Sequence, residues 1–439
     1  MSEPKPKSFE ISKRAVWEAY RRVKANKGGA GVDEQSMAEF EVDLKDNLYK
    51  LWNRLSSGTY FPPPVRAVEI PKRDGSSRTL GVPTVADRIA QTVVRGYLEP
   101  DVELVFHEDS YGYRPGRSAH QALRVCRERC WRNDWVLDMD IKSFFDSVPW
   151  DLVLKAVAHH TDLRWVLLYV ERWLKAPLQL EDGRVIERDR GTPQGSAISP
   201  LLANMFLHYA FDAWMAREFP TVQFERYCDD IIVHARTEGH ARFLWAAIAK
   251  RLAECGLQLN ERKTRIVYCK DDHRRGSYEH ASFDFLGYTF RPRLSKSKLG
   301  KHFLNFSPAV SGEAKTRMRR EMRSWSVARR SDKTLTDLAR MFNAVLQGWI
   351  NYYGRFYKSM LYPVFRHFND TLVRWAMRKY KRLRRHQGRA RRFIADVSRR
   401  QPGPLVAGEV PRAPDRRSQG PAPDPQVVGR RGHRGRQVV

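Results

Sequence analysis

Two adjacent acids interrupt an otherwise β-rich stretch, Val222-Gln-Phe-Glu-Arg-Tyr-Cys-Asp-Asp-Ile-Ile-Val-His-Ala-Arg236. The runs on either side suit strands, and their short separation predicts a hairpin with Asp229 and Asp230 at its tip. Two carboxylates held side by side repel, and keeping both ionised is costly unless a cation lies between them. A second β-like run, Val136-Leu-Asp-Met-Asp-Ile141, carries Asp138 and Asp140 at i and i+2, which share one face of a strand. If the two strands are neighbours, several hard oxygen ligands converge, a set that suits Mg²⁺. A pair of such ions serves in-line phosphoryl transfer, one activating a hydroxyl nucleophile and the other steadying the leaving oxygen. Standing alone, an Asp-Asp pair is more often a solvated turn. Its context decides.

Charge narrows the partner. The chain has 439 residues with 79 Lys+Arg against 50 Asp+Glu, a formal net charge of +29. Self-repulsion of that size favours a polyanionic partner, and nucleic acid is expected. A membrane is not, because no apolar run approaches the roughly 18 residues of a spanning helix. Residues 1–10 lack the apolar core of a secretion signal, so a cytoplasmic location is expected. With 42% hydrophobic residues the chain can bury a sizeable core, which excludes wholesale disorder. Five cysteines, an odd number in a long chain, do not form a disulfide framework. Cys126 and Cys130 share a helix face at i, i+4. No nearby Cys/His pair completes a zinc set, and they read as small buried thiols.

Texture divides the chain. To about residue 305, helical and strand patterns mix, with turns at Lys72-Arg-Asp-Gly75 and Glu181-Asp-Gly183. From about 306 to 400 the pattern is helical and basic. Leu335, Leu338, Phe342, Val345, Leu346 and Trp349 recur as one stripe of a helix, and Thr334 with Asp337 resembles a capping box at its start. Residues 401–439 are rich in Pro, Gly and Arg and are expected to be disordered.

Further motifs stand in order along the chain. They are Tyr111-Gly-Tyr-Arg-Pro-Gly-Arg-Ser118, Asp140-Ile-Lys-Ser-Phe-Phe-Asp146, Gly191-Thr-Pro-Gln-Gly-Ser-Ala-Ile-Ser-Pro-Leu-Leu-Ala-Asn204 and Tyr227-Cys-Asp-Asp230. With Ala15–Asp33 before them and Gln347-Gly-Trp-Ile-Asn-Tyr-Tyr-Gly-Arg-Phe356 after, the chain resembles the group II intron-encoded reverse transcriptases/maturases, of the bacterial type lacking an H-N-H endonuclease domain. The resemblance implies an α+β right-hand polymerase with antiparallel sheet in its fingers and palm. It implies an N-terminal extension over 1–64, fingers and palm over 65–305, and a helical thumb/maturase domain over 306–377. A basic DNA/RNA-binding helix over 378–400 and the disordered tail over 401–439 complete the division.

By the same resemblance Asp140, Asp229 and Asp230 would ligate two Mg²⁺ ions, with the Ile141 carbonyl assisting and Asp138 and Asp146 in support. Lys72 and Arg78 would meet the nucleotide triphosphate. Gln194 and Gly195 would touch the incoming base and the template backbone. Phe145 would lie under the nucleotide sugar and reject a 2′-hydroxyl, with Phe144 its rival for the role. Lys263 would stand near the pyrophosphate as a general acid. Arg114, Tyr227 and the turn Phe285-Leu286-Gly287 would position primer and template, and Trp349, Tyr352, Tyr353, Arg355, Arg378 and Lys379 would contact RNA. Cys228 stands where a smaller residue is usual and reads as tolerated, its thiol kept protonated beside the acids.

The implied activity is RNA-directed DNA synthesis from a DNA primer on an RNA template with dNTPs. Group II intron RNA would be bound to assist splicing and mobility, and target DNA would be a further partner. Two other readings are the same fold serving phage defence or a CRISPR-linked duty, and a catalytically silent RNA-binding splicing factor. The maturase-like segment speaks against the first and the three intact acids against the second. No cysteine follows Cys269 and no endonuclease-like pattern follows residue 400, so self-made second-strand nicking is not expected.

Overall fold

Three β-sheets frame the first of two units into which the chain divides, the break falling between Ser311 and Gly312. The computed structural model describes residues 8–71, 77–297 and 299–400, so Lys72 and the tail from 401 lie outside the described residues. In chain order the strands are β1 (Val65–Pro71), β2 (Ser77–Val82), β3 (Trp135–Asp140), β4 (Leu178–Gln179), β5 (Val185–Ile186), β6 (Phe224–Tyr227), β7 (Asp230–Ala235), β8 (Arg265–Tyr268), β9 (Phe283–Phe285), β10 (Tyr288–Lys296) and β11 (His302–Val310). They assemble as β2-β1-β4-β5, β6-β7-β3-β8 and β11-β10-β9. β1 and β4 pair in parallel, and the other neighbours are antiparallel.

The β6-β7-β3-β8 sheet carries the acids. Its period of two sends Leu137, Met139, Ile231, Val233 and Ala235 into the main core, where Leu244 and Ile248 of the Glu238–Glu254 helix join them. The opposite face presents Val136, Asp138 and Asp140 of β3 beside their register partners His234, Ile232 and Asp230 of β7. The Ala119–Cys130 helix covers one end of that face: Arg129 donates to the Phe224 carbonyl at 2.7 Å. The acids occupy the other end.

The N-terminal extension is part of this unit rather than a separate body. Its Lys13–Ala25 helix, capped by Ser12, buries Val16, Ala19, Tyr20 and Val23. Gly31 passes so close to the next segment that a Cβ there would lie 2.6 Å from the Thr84 backbone.

The second unit is helical throughout its described residues. It begins at Gly312, later than the 306 read from the sequence, because residues 302–310 complete a ladder with β10. The expected helix runs Leu335–Tyr353, and Thr334 and Asp337 do form its capping box. Leu338, Phe342 and Leu346 are buried, but Val345 is 40% exposed. At 100° per residue Val345 falls on the edge of the stripe, and the bundle closes over its centre. Trp325 stacks on Phe342 at 4.4 Å and on Trp349 at 5.7 Å, so these rings hold the bundle together.

Candidate active site

The tip of the β6–β7 hairpin is set from beneath. Tyr227 pairs with Asp230, leaving Cys228 and Asp229 as the two turn residues, and Cys228 takes the left-handed φ of 60°. A side chain at Gly112 would put its Cβ 2.5 Å from the Cys228 nitrogen, so only glycine lets that segment pass behind the turn. Arg226 is wholly buried there. It donates to both Asp212 oxygens at 2.7 and 2.5 Å, to Ser110 Oγ at 2.8 Å, to Asn204 Oδ1 at 3.0 Å and to the Cys228 carbonyl at 3.2 Å. A guanidinium so fully paired can stay charged in the core, and it pins the turn carbonyl from below.

Asp140 and Asp230 are direct register partners across β3 and β7. The Asp140 carbonyl is taken by the Asn260 N–H at 2.8 Å on the β8 side, so the two acids face each other as a non-hydrogen-bonded pair, the closer kind. Asn260 Nδ2 and Lys263 Nζ each reach Asp140 Oδ2 at 3.1 Å. Lys142 donates to the Gln258 carbonyl and Ile141 bridges Leu259, which turns the Ile141 carbonyl toward the hairpin side where Asp229 stands.

Like charges at this corner repel, and the three carboxylates do not close to within 4.8 Å of one another as a set. Although Asp230 is exposed on the sheet, protein packed round its carboxyl, then the Asp229 and Asp140 charges, push it up to about 7, with Lys263 opposing. Burial, reinforced by Asp140, also raises Asp229, while Arg78 pulls the other way. Asp138 is pushed up to about 7, chiefly by burial, against the pull of Arg265 at 3.6 Å. Carboxylates plus a carbonyl turned to the same side, with Asp229 and Asp230 held back from ionising, fit a hard divalent cation such as Mg²⁺.

Beside the acids lies a set suited to a polyphosphate and a base. Arg78, on β2, donates from Nε to Gln194 Oε1 and faces Asp229 electrostatically. Gly195 has φ 112°, and a Cβ there would sit 2.6 Å from the Gly81 carbonyl. That loop is held from behind: Gln91 Oε1 accepts from Ser196 Oγ at 2.6 Å and from Ala197 N at 2.8 Å. Gln91 in turn donates to the buried Asp87, which also accepts from Tyr60 and Trp173. The Phe145 carbonyl accepts from Thr192 N at 2.7 Å, tying the aromatic to the same loop. Phe144 is 2% exposed and turned toward Phe206, and Phe145, at 9%, is buried in the same core beside it.

Other expected site residues go elsewhere. Arg114 is buried, salt-bridged to Glu103 at 3.0 Å and bonded to the His107 and Ser110 carbonyls; it is an internal pin and not a primer contact. Phe285 is buried in its sheet, while Leu286 and Gly287, both at positive φ, form the tight β9–β10 turn. Tyr227 is half-buried, its ring 6.4 Å from that of Tyr113. In the second unit, Tyr353 is buried and accepts from Arg317, and half-buried Trp349 is stacked on Trp325. Tyr352 is half-buried against Tyr353. Arg355 is exposed, Arg378 donates to the Ala328 carbonyl, and Lys379 donates to that of Ser331. Sequence reasoning missed Arg226, Asp212, Asn204, Asn260 and Gln91. The only signal was an Arg and an Asp bordering strongly apolar runs.

Acids that need a divalent cation, set beside a cation and a close-packed loop fit for a nucleotide, are what the palm of a metal-dependent polymerase presents. Residues 70–290, about half of the chain, match the family model described as reverse transcriptase (RNA-dependent DNA polymerase), and the chain belongs to that family. Residues 315–393 match the maturase-specific domain of group II introns. Protein YkfC of Escherichia coli K12 is 34% identical over 264 residues, 58% of this chain and 64% of YkfC. The group II intron-encoded protein LtrA of Lactococcus lactis subsp. cremoris is 34% identical over 193 residues, 43% of this chain and 32% of LtrA. The chain therefore spans less than two thirds of either relative. A solved structure of apo telomerase from Candida tropicalis aligns over 55% of this chain and 59% of that one at 14% identity, with a TM-score of 0.41. Among the described residues no helix is long and apolar enough to cross a membrane.

Proposed function

We propose that the chain is an RNA-directed DNA polymerase of the cytoplasm that also binds group II intron RNA to assist splicing and mobility. The observation that carries the reading is the facing pair Asp140 and Asp230, with Asp229 one residue away at the hairpin tip. These three acids and the Ile141 carbonyl would hold two Mg²⁺ ions. When bound, the ions activate the primer 3′-hydroxyl and steady the departing pyrophosphate oxygen.

The rest belongs to the chain. Arg78 neutralises triphosphate charge and, through Gln194, fixes the loop that meets the incoming base. Gly195, whose loop packs on the Gly81 carbonyl too closely for a side chain, meets the template backbone. Phe145 floors the sugar site and excludes a 2′-hydroxyl by contact. Lys263, 65% exposed at its side chain, leaves Asp140 and gives a proton to the leaving pyrophosphate. Arg355, Arg378 and Lys379 and the basic helix Gln387–Arg400, which starts nine residues later than the 378 read from the sequence, supply cations for structured RNA, whose binding would fall steeply with salt. Lys72 is assigned to the triphosphate as well, and target DNA to the basic C-terminal helix.

Primer extension on an RNA template with Mg²⁺ and dNTPs tests the polymerase reading. Asp140→Ala and Asp229→Ala are expected to abolish cDNA while leaving intron RNA binding and splicing intact. Full-length product from either variant would remove the assignment.

A further inference from the structure

The sheet face that bears the acids ends, under the Ala119–Cys130 helix, in a buried group that the polymerase chemistry does not use. His234 lies four residues beyond Asp230 on β7 and shares its face; Glu225 faces the same way from β6. Cys126 and Cys130 meet them from the helix, and Cys269 follows β8. Cys126 Sγ, a Glu225 carboxylate oxygen and a His234 ring nitrogen all lie within 4.8 Å of one another, and all three residues are buried. Among the described residues no other trio of such ligands gathers so tightly.

We propose that Cys126, Glu225 and His234 form a structural site for one thiophilic divalent cation, zinc being the ion that fits.

The imidazole points to a ligand. His234 is 2% exposed; one ring nitrogen is 2.7 Å from Glu225, and the other, Nδ1, is buried with no hydrogen-bond partner. Buried ring nitrogens are normally satisfied, and this one is left open in a residue that converges with a thiol and a carboxylate.

The charges close without residue. A dication with one thiolate and one carboxylate is neutral, and Arg129, which donates to Glu225 at 2.7 Å, is matched by Asp109 at 2.8 Å. Cys130 sits one helical turn from Cys126 and hydrogen-bonds it, with Cys269 on its other side. Burial pushes the Cys126 thiol up to about 12, so its proton leaves only when a metal displaces it. Thiolate, imidazole and carboxylate are zinc ligands, whereas Mg²⁺ keeps to oxygen, so the two ends of this face would select different metals. An ion here would clamp the helix to β6 and β7, the two strands whose hairpin carries Asp229 and Asp230.

The test uses the full chain, purified without metal-affinity resin, stripped, then supplied with Zn²⁺ or Co²⁺ in excess Mg²⁺. Expected are about one zinc per chain by elemental analysis, a near-ultraviolet thiolate-to-cobalt band, and a melting temperature that a zinc-selective chelator lowers. Replacing both cysteines outside the group, Cys228→Ala with Cys255→Ala, should leave the band, and Cys126→Ala or His234→Gln should remove it. Where those single variants do not fold, the band of the double variant decides, since only Cys126, Cys130 and Cys269 remain to produce it. A chain that takes up no zinc, a cobalt spectrum without the thiolate band, or a band lost in the double variant overturns the site. None of these outcomes touches the polymerase reading.

Discussion

Lys263 Nζ lies 3.1 Å from Asp140 Oδ2, so an exposed cation shares the carboxylate that a divalent ion would occupy. The two compete for it. In Lys263→Met the half-saturating Mg²⁺ concentration for primer extension should fall, by roughly fivefold at most, since one exposed ion pair is worth up to about 1 kcal/mol. The turnover number should fall on the order of a hundredfold through the lost proton donor. A magnesium titration of both proteins separates these opposite effects; equal turnover would remove Lys263 from the chemistry.

The buried pair under the turn carries a stability prediction. Asp212→Ala leaves the Arg226 charge with fewer partners in the core and should cost about 3–5 kcal/mol, read as a lower urea midpoint. Adding Arg226→Met should recover part of that loss, because the unpaired charge goes with it. Additive losses in the double variant would show that the two side chains act independently.

Gly195→Ala separates positioning from folding. Its Cβ would meet the Gly81 carbonyl at 2.6 Å in a backbone conformation that side chains rarely adopt. The strain should cost about 1–3 kcal/mol, while kcat/KM for dNTPs drops on the order of a hundredfold as the loop shifts. Gln91→Leu, which removes the acceptor behind the same loop, should raise KM for dNTPs more than it lowers the melting temperature.

Phe145→Val should relax sugar discrimination. Incorporation of NTPs relative to dNTPs should rise roughly ten- to a hundredfold, the scale of a lost steric contact. Phe144→Val, which opens the core instead, should lower stability and leave the ratio unchanged.

Asp87 should set a pH dependence of stability. It is wholly buried, and burial pushes it up to about 6 against the hydrogen bonds from Trp173, Tyr60 and Gln91. The folded value lies above the unfolded one of about 3.9. Its contribution is therefore fully present below about pH 4 and is lost as pH rises through about 6. Urea midpoints measured from pH 4.5 to 7 should decline accordingly, and the slope should flatten in Asp87→Asn.

Much of this was legible in the one-dimensional pattern, because it depends on near neighbours. Two acids between β-rich runs make a hairpin tip, acids at i and i+2 share a strand face, and Thr334 three residues before Asp337 makes a capping box. Each is settled by backbone geometry over a few residues. What the tertiary structure decided is which distant groups meet. Arg114 spends its charge on Glu103, and Arg226 finds Asp212 across a helix end; Gln91 braces a loop 105 residues away. Cys126 had no metal-ligating partners within reach along the chain, yet β-register and helix packing deliver Glu225 and His234 to it. Burial turns such meetings into function, since a charge or ring nitrogen cut off from water must find its partner inside the protein, and only the packed fold determines who that partner is.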